Sequence, residues 1–372
     1  MIPVSRPTLS SQELSAVGDV FDTGWLGMGN TTYEFEKAVA DRVGGRHVIA
    51  VNSGTSALHI ALDAYGVGPD DEVIVPSLTY AACIQAILAV GAVPVMCESD
   101  PETLLVDPND VAARMTKRTR AIMPVHYCGQ ACDMDVLLAL AESHQCWIVE
   151  DAAHAFGATY KGKLVGSFGH ATCFSFDPIK IITCGEGGAV VVDDDAVADR
   201  IRQKRILGID KETWHRYHNQ RALSYAVVTN GYRYHMPNFC AAIGLAQLEK
   251  LSVFIDRRRS VCRQYDAAFN ELKGVRPLRV DYTAAAPFMY VLRVPGGRRE
   301  AFIAALKKCG VDTGIHYIPN HQHPHFAAFS RGPLPVADRL GEEIVTLPLF
   351  SDISDADVDT VISAVRAFEA AS

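Results

Sequence analysis

The chain has 372 residues, 49% of them hydrophobic, enough for one large domain with a smaller companion around a buried core. Its 43 acidic and 35 basic residues give a formal charge of -8 without long single-sign runs, which speaks against nucleic acid or an anionic membrane as the main partner and favours small molecules. The ten cysteines are scattered, and Cys83, Cys97, Cys173 and Cys240 lie in apolar segments, as buried reduced thiols of a cytoplasmic protein do.

The opening residues, MIPVSRPTLS, have no basic stretch followed by an apolar one, so no signal peptide is expected. Between about residues 45 and 200, short β-branched runs alternate with helical patterns. HVIAVNS reads as a strand, TSALHIALDAYG as a helix capped near Ser53 or Thr55, DEVIVPS as a strand and AACIQAILAV as a helix. The apolar run from Tyr80 to Cys97 is broken by Gln85, Gly91 and Pro94, so it divides into a helix and a strand and does not span a bilayer. AVPVMC, RAIMPVH, CWIVED, ATCFSF and GGAVVV follow as further strands. Strands apolar on both sides call for a central, mostly parallel sheet between helices, an α/β fold whose ligands gather at the carboxyl ends of the strands. From about Leu251 the texture changes to charged helices and Pro- and Gly-punctuated strands. The division expected is residues 1–250 as a large domain and 251–372 as a smaller α+β domain.

Three strand ends carry candidate chemistry. VNSGTSAL ends a strand at Gly54 and opens a helix at Thr55, which aims backbone N–H groups and a positive dipole end at one spot, suited to a phosphate; the same pattern also starts ordinary helices. CWIVEDAAHAFGA ends a strand on Glu150 and Asp151, and a carboxylate at a buried strand end needs a cation, several donors or a capping role. In SFDPIKIITCGEGG, Lys180 sits between Pro178–Ile179 and Ile181–Ile182. Apolar surroundings favour its neutral amine, a Schiff-base nucleophile, and a lysine snorkelling at a sheet edge fits the same letters. Taken together, a phosphate-cradling helix start, an acid at a strand end, the hydroxyl of Ser175 and a lysine five residues on are the parts that hold pyridoxal phosphate (PLP).

Other features point elsewhere. Cys128 and Cys132 in CGQAC have no second pair at zinc-like spacing, and HQHPH (His321, His323, His325) is interrupted by proline and lacks a carboxylate companion, so no metal site is assigned. TCGEGGAV leads into a strand rather than a helix, unlike a dinucleotide loop, and reads as a tight turn.

Over nearly its full length the chain resembles the DegT/DnrJ/EryC1/StrS family of PLP-dependent sugar aminotransferases, of fold-type I. TGWLGMG, NSGTSAL, VPSLTYAA, VEDAAHAFGA, FSFDPIKIITCGEGGAVV, GYRYHMPNFCAAIGLAQL, GIHYIPNHQHP and TLPLF occur in the family's order. The resemblance implies that Lys180 is the Schiff-base lysine, Asp151 the acid at the pyridine nitrogen and Tyr80 an aromatic stacked on the ring. It places Gly54, Thr55, Ser56 and Ser175 at the phosphate. GYRYHM matches a segment that reaches the neighbouring subunit's cofactor, implying a homodimer with shared active sites. Where many members have Gln, this chain has His154, so the hydrogen bond to the ring hydroxyl would come from an imidazole; where many have Asn, it has Arg233, whose guanidinium suits a phosphate. A family branch that dehydrates its substrate carries His in place of the lysine, so Lys180 favours transamination.

The expectation is transfer of an amino group from glutamate to a nucleotide-linked keto-deoxyhexose. The rivals are another PLP reaction on a sugar or amino acid, such as dehydration, and a PLP-binding regulator without turnover. The choice between C3 and C4 amination, the nucleotide, the pathway and the role of Asp177 are not legible in the letters.

Overall fold

A computed structural model describes residues 1–210 and 212–370. Among these residues the principal sheet has seven strands, in the spatial order His47–Val51, Gly188–Val192, Ala171–Ser175, Trp147–Asp151, Thr119–Ile122, Glu72–Pro76 and Val93–Cys97. The pairings are parallel except where Gly188–Val192 runs antiparallel to both of its neighbours, so the other strands share one direction. The mostly parallel sheet expected from the doubly apolar runs is therefore present, and three of its strands, Gly188–Val192, Ala171–Ser175 and Glu72–Pro76, are buried from end to end.

That shared direction brings Asn52–Gly54, Ser77–Tyr80, Asp151 and Ser175 to one edge of the sheet. Gly188 begins its strand at the same edge, opposite both Val51 and Ser175. A Cβ there would lie 2.4 Å from the Ser53 carbonyl oxygen, so glycine is what lets the antiparallel strand slip in behind the helix start.

One helix, Asn238–Phe269, runs through the region where the sequence texture changes. Cys240, Ala241, Leu248, Leu251 and Ile255 join the core beneath the large sheet, whereas Val261, Cys262, Tyr265 and Phe269 join a second core. The second core packs on an antiparallel sheet of Arg276–Pro277, Tyr290–Arg293 and Ile344–Leu347 and on the helices Arg299–Lys308 and Asp355–Ala370. Asn238–Phe269 is long and apolar enough to cross a membrane by length and composition alone, but these contacts make it a core helix.

Candidate active site

The helix Gly54–Ala64 starts where the strand His47–Val51 ends. Ser53 is its N-cap, with its hydroxyl accepting the Ser56 amide at 3.1 Å, and the first-turn residues Gly54 and Thr55 line a cavity of about 320 Å³. Ser175, from the next-but-one strand, converges on the same corner: a Cβ on Gly54 would sit 2.8 Å from that of Ser175. Helix dipole, free first-turn amides and a hydroxyl thus meet at one point.

Strand alternation separates the two adjacent acids. Glu150 points into the interior beneath the sheet, where Oε2 lies 2.8 Å from His126 Nε2 and Oε1 accepts the Thr172 hydroxyl at 2.7 Å. Asp151 points to the cavity. Its Oδ1 accepts the Ala153 amide at 2.9 Å and its Oδ2 accepts the Cys83 thiol, also at 2.9 Å.

Lys180 reaches the cavity from a turn that Asp177 shapes. The Asp177 carboxylate accepts the Ile179 amide and its carbonyl accepts the Lys180 amide, both at 3.1 Å. This gives Asp177 a structural role. Burial lowers the Lys180 pKa below the ordinary lysine value, against the opposing charges of Asp177 and Asp151. Its Nζ lies 4.2 Å from the centre of the Phe288 ring.

Aromatic groups complete the wall. His154 stacks on Phe288 with ring centres 4.4 Å apart, and its Nε2 lies 3.1 Å from the Tyr317 hydroxyl. Burial, then the nearby Lys180, then His316 hold the His154 pKa well below the ordinary histidine value, so the imidazole is neutral. Tyr80, 59% exposed, leans on Tyr317 at the cavity mouth with ring centres 5.5 Å apart.

A buried amine, a carboxyl group and an anion corner facing one another invite comparison with known enzymes. The sequence profile of the DegT/DnrJ/EryC1/StrS aminotransferase family matches residues 7–366. The chain belongs to this family. It is 40% identical over 374 residues to the spore coat polysaccharide biosynthesis protein SpsC of Bacillus subtilis (strain 168), covering 98% of this chain and 96% of SpsC. The aminotransferase TlmJ of Streptoalloteichus hindustanus superposes with a TM-score of 0.93 at 35% identity, over 100% of this chain and 99% of TlmJ. The sugar aminotransferase CalS13 of Micromonospora echinospora does so with a TM-score of 0.90 at 33% identity, over 99% of this chain and 100% of CalS13. These neighbours share the fold-type I architecture.

Aminotransferases of the DegT/DnrJ/EryC1/StrS family bind PLP, and the cavity fits that group on its own terms. The helix start at Gly54 packs so closely on Ser175 that no side chain fits between them, and His154, which lines the site, has a buried Nδ1 without a protein partner. The donor set offers a phosphate corner, an acid and an amine. Of the residues singled out from sequence, Gly54, Thr55, Tyr80, Asp151, His154, Ser175 and Lys180 line this one cavity. Ser56 sits a step behind, its hydroxyl 2.9 Å from that of Ser53. Arg233 is not among the lining residues: it lies between Tyr232 and Tyr234, which stack on each other 4.9 Å apart and flank His59.

Sequence reasoning missed Thr79, Cys83, Glu186, Phe288, His316 and Tyr317. Tyr317 stands in the family landmark GIHYIPNHQHP and Glu186 in GEGG, so the motifs held both without assigning them roles. His321, in the tract that resembled a metal site, is a tie: its ring nitrogens meet Ser77 Oγ at 2.7 Å and Asp338 Oδ1 at 2.8 Å.

Proposed function

We propose that this aminotransferase moves an amino group from glutamate to a nucleotide-linked keto-deoxyhexose in the making of a deoxyaminosugar. The observation that carries the reading is the Lys180 amine opening into the same cavity as Asp151. The polysaccharide role in the name of SpsC and the sugar in that of CalS13 support the acceptor class.

PLP, when bound, supplies an electron-withdrawing ring that makes the amino donor's Cα–H acidic. Lys180 Nζ would be the covalent attachment point and, once displaced by the donor amine, would move the proton from the donor's Cα to the cofactor's C4′ carbon, and in the opposite direction for the acceptor. A lowered pKa suits that work because more of the amine is unprotonated near neutral pH. Asp151, its two oxygens already fixed by Ala153 and Cys83, holds the proton on the ring nitrogen. Gly54, Thr55 and Ser175 hold the phosphate, and Ser56 supports them through its bond to Ser53. Neutral His154 orients the ring hydroxyl, and Tyr80 covers the ring face.

The working form in this proposal is a homodimer. Leu223, Tyr225, Val227 and Val228 stand exposed just before Arg233, an apolar stretch that a second copy would cover. Arg233 then serves the partner's phosphate. The free thiols suit a reducing cytoplasm.

The reading is tested by incubating the purified protein with glutamate and dTDP-, GDP- and UDP-linked 3-keto and 4-keto sugars, with products read by mass. One acceptor should gain an amino group as 2-oxoglutarate is released. Amination of a simple keto acid, with every sugar inert, would contradict it.

A further inference from the structure

The acid of the site is held from below by a thiol. Cys83, on the helix Ala81–Ala89, is fully buried, and its Sγ lies 2.9 Å from Asp151 Oδ2. Thr79 Oγ1 lies 3.2 Å from the same sulfur. An ionised carboxylate has no proton to give, so the thiol donates to Asp151; with its single proton committed, the sulfur accepts from the Thr79 hydroxyl. Thr79 is itself anchored, its carbonyl accepting Asn320 Nδ2 at 2.8 Å and its amide donating to the Ser77 carbonyl at 3.1 Å. A polarised chain therefore runs from the Thr79 hydroxyl through Cys83 to Asp151, with Asn320 holding the Thr79 backbone in place.

We propose that Cys83 is the positioning residue for Asp151, its thiol fixing the rotation of the carboxylate and setting how much negative charge that carboxylate presents to the cofactor ring. The argument rests on the reading of Asp151 as partner of the ring nitrogen. A thiol is a weak donor, so it occupies Oδ2 and draws off only part of its charge. Burial first, then the charge of Asp151, raise the thiol pKa well above its ordinary value, so the S–H stays available throughout the working range. The helix geometry serves this arrangement: with Tyr80 as N-cap, position 83 lies one turn in, where its side chain turns back toward the strand end.

The test compares full-length Cys83→Ser, Cys83→Ala, Cys83→Val and Asp151→Asn, each prepared as apoprotein with folding checked by circular dichroism. PLP is titrated back by visible absorbance, and the pH midpoint of the visible band of the reloaded protein is then recorded. Cys83→Ala and Cys83→Val lack a donor, so the PLP dissociation constant should rise about tenfold and the midpoint should move by about half a pH unit. Cys83→Ser keeps a donor and should stay within about threefold of wild type. Should the smaller alanine fail to fold, the Val and Ser pair decides. A wild-type-like Cys83→Val beside a weakened Cys83→Ser would show that the side chain only fills space, overturning the proposal. An impaired Asp151→Asn with all Cys83 variants unchanged would overturn the part of Cys83 alone, whereas an unimpaired Asp151→Asn would overturn the reading of Asp151 and the proposal with it.

Discussion

Glu150 and Asp151 are neighbours in the chain and face opposite sides of the same strand, one locked to His126 and Thr172 in the interior and the other lining the cavity. Their substitutions should therefore separate stability from function. Glu150→Ala leaves the His126 ring N–H and the Thr172 hydroxyl without their acceptor and should cost roughly 3 kcal/mol of unfolding free energy. Asp151→Asn should leave the apoprotein's unfolding midpoint nearly unchanged while turnover falls by roughly 100-fold. Urea unfolding of the apoproteins beside half-reaction rates with glutamate checks both.

The Gly54 corner gives a second prediction. A methyl at Gly54 would press on Ser175 at 2.8 Å, so Gly54→Ala should push the helix start away from that hydroxyl. The PLP dissociation constant should rise about tenfold with little change in fold. Titration of the apoprotein reads it directly, and an unchanged constant would remove the phosphate from this corner.

A third prediction concerns acid. His154 and His59 are buried and neutral, each with its pKa lowered chiefly by burial. Their contribution is intact above the unfolded imidazole pKa of about 6.5. Below it the unfolded chain takes up protons that the folded chain refuses, so stability falls with falling pH until the lowered folded values are reached. For His154 the loss should be on the order of 1 kcal/mol per pH unit between about pH 6.5 and about pH 5, and His59 adds to it in the same direction. Urea midpoints across that range should decline, and His154→Gln should lessen the slope; a flat profile would contradict the assignment.

Sequence patterns sufficed for the sheet and for much of the site because both rest on local rules. The strand ends at Asp151 and Ser175, the helix start at Gly54 and the misplaced lysine at 180 can be recognised one segment at a time. Phe288 and Tyr317 could not be read that way. Phe288 is an unremarkable apolar residue before a strand of the smaller sheet, and only chain closure brings it to 4.2 Å from the Lys180 amine. Cys83 looked like any buried thiol on an apolar helix, since its bond to Asp151 joins residues 68 apart in the chain. The role of His321 was hidden for a related reason: its partners are Ser77 and Asp338, neither of them in the histidine tract.

The shared-site proposal makes a fourth prediction. Lys180→Ala and Arg233→Ala should each be inactive alone. When the two are unfolded and refolded together, mixed dimers should recover activity, because one of their two sites then holds both native residues. No recovery would place the action of Arg233 within its own subunit.

The central claim is that Lys180 carries the cofactor. The holoprotein, which should be yellow, is reduced with borohydride, digested and analysed by mass spectrometry. The account predicts a phosphopyridoxyl group on the peptide containing Lys180 and a colourless, unlabelled Lys180→Ala protein. A label on a different lysine, or an unchanged visible spectrum in Lys180→Ala, would contradict it.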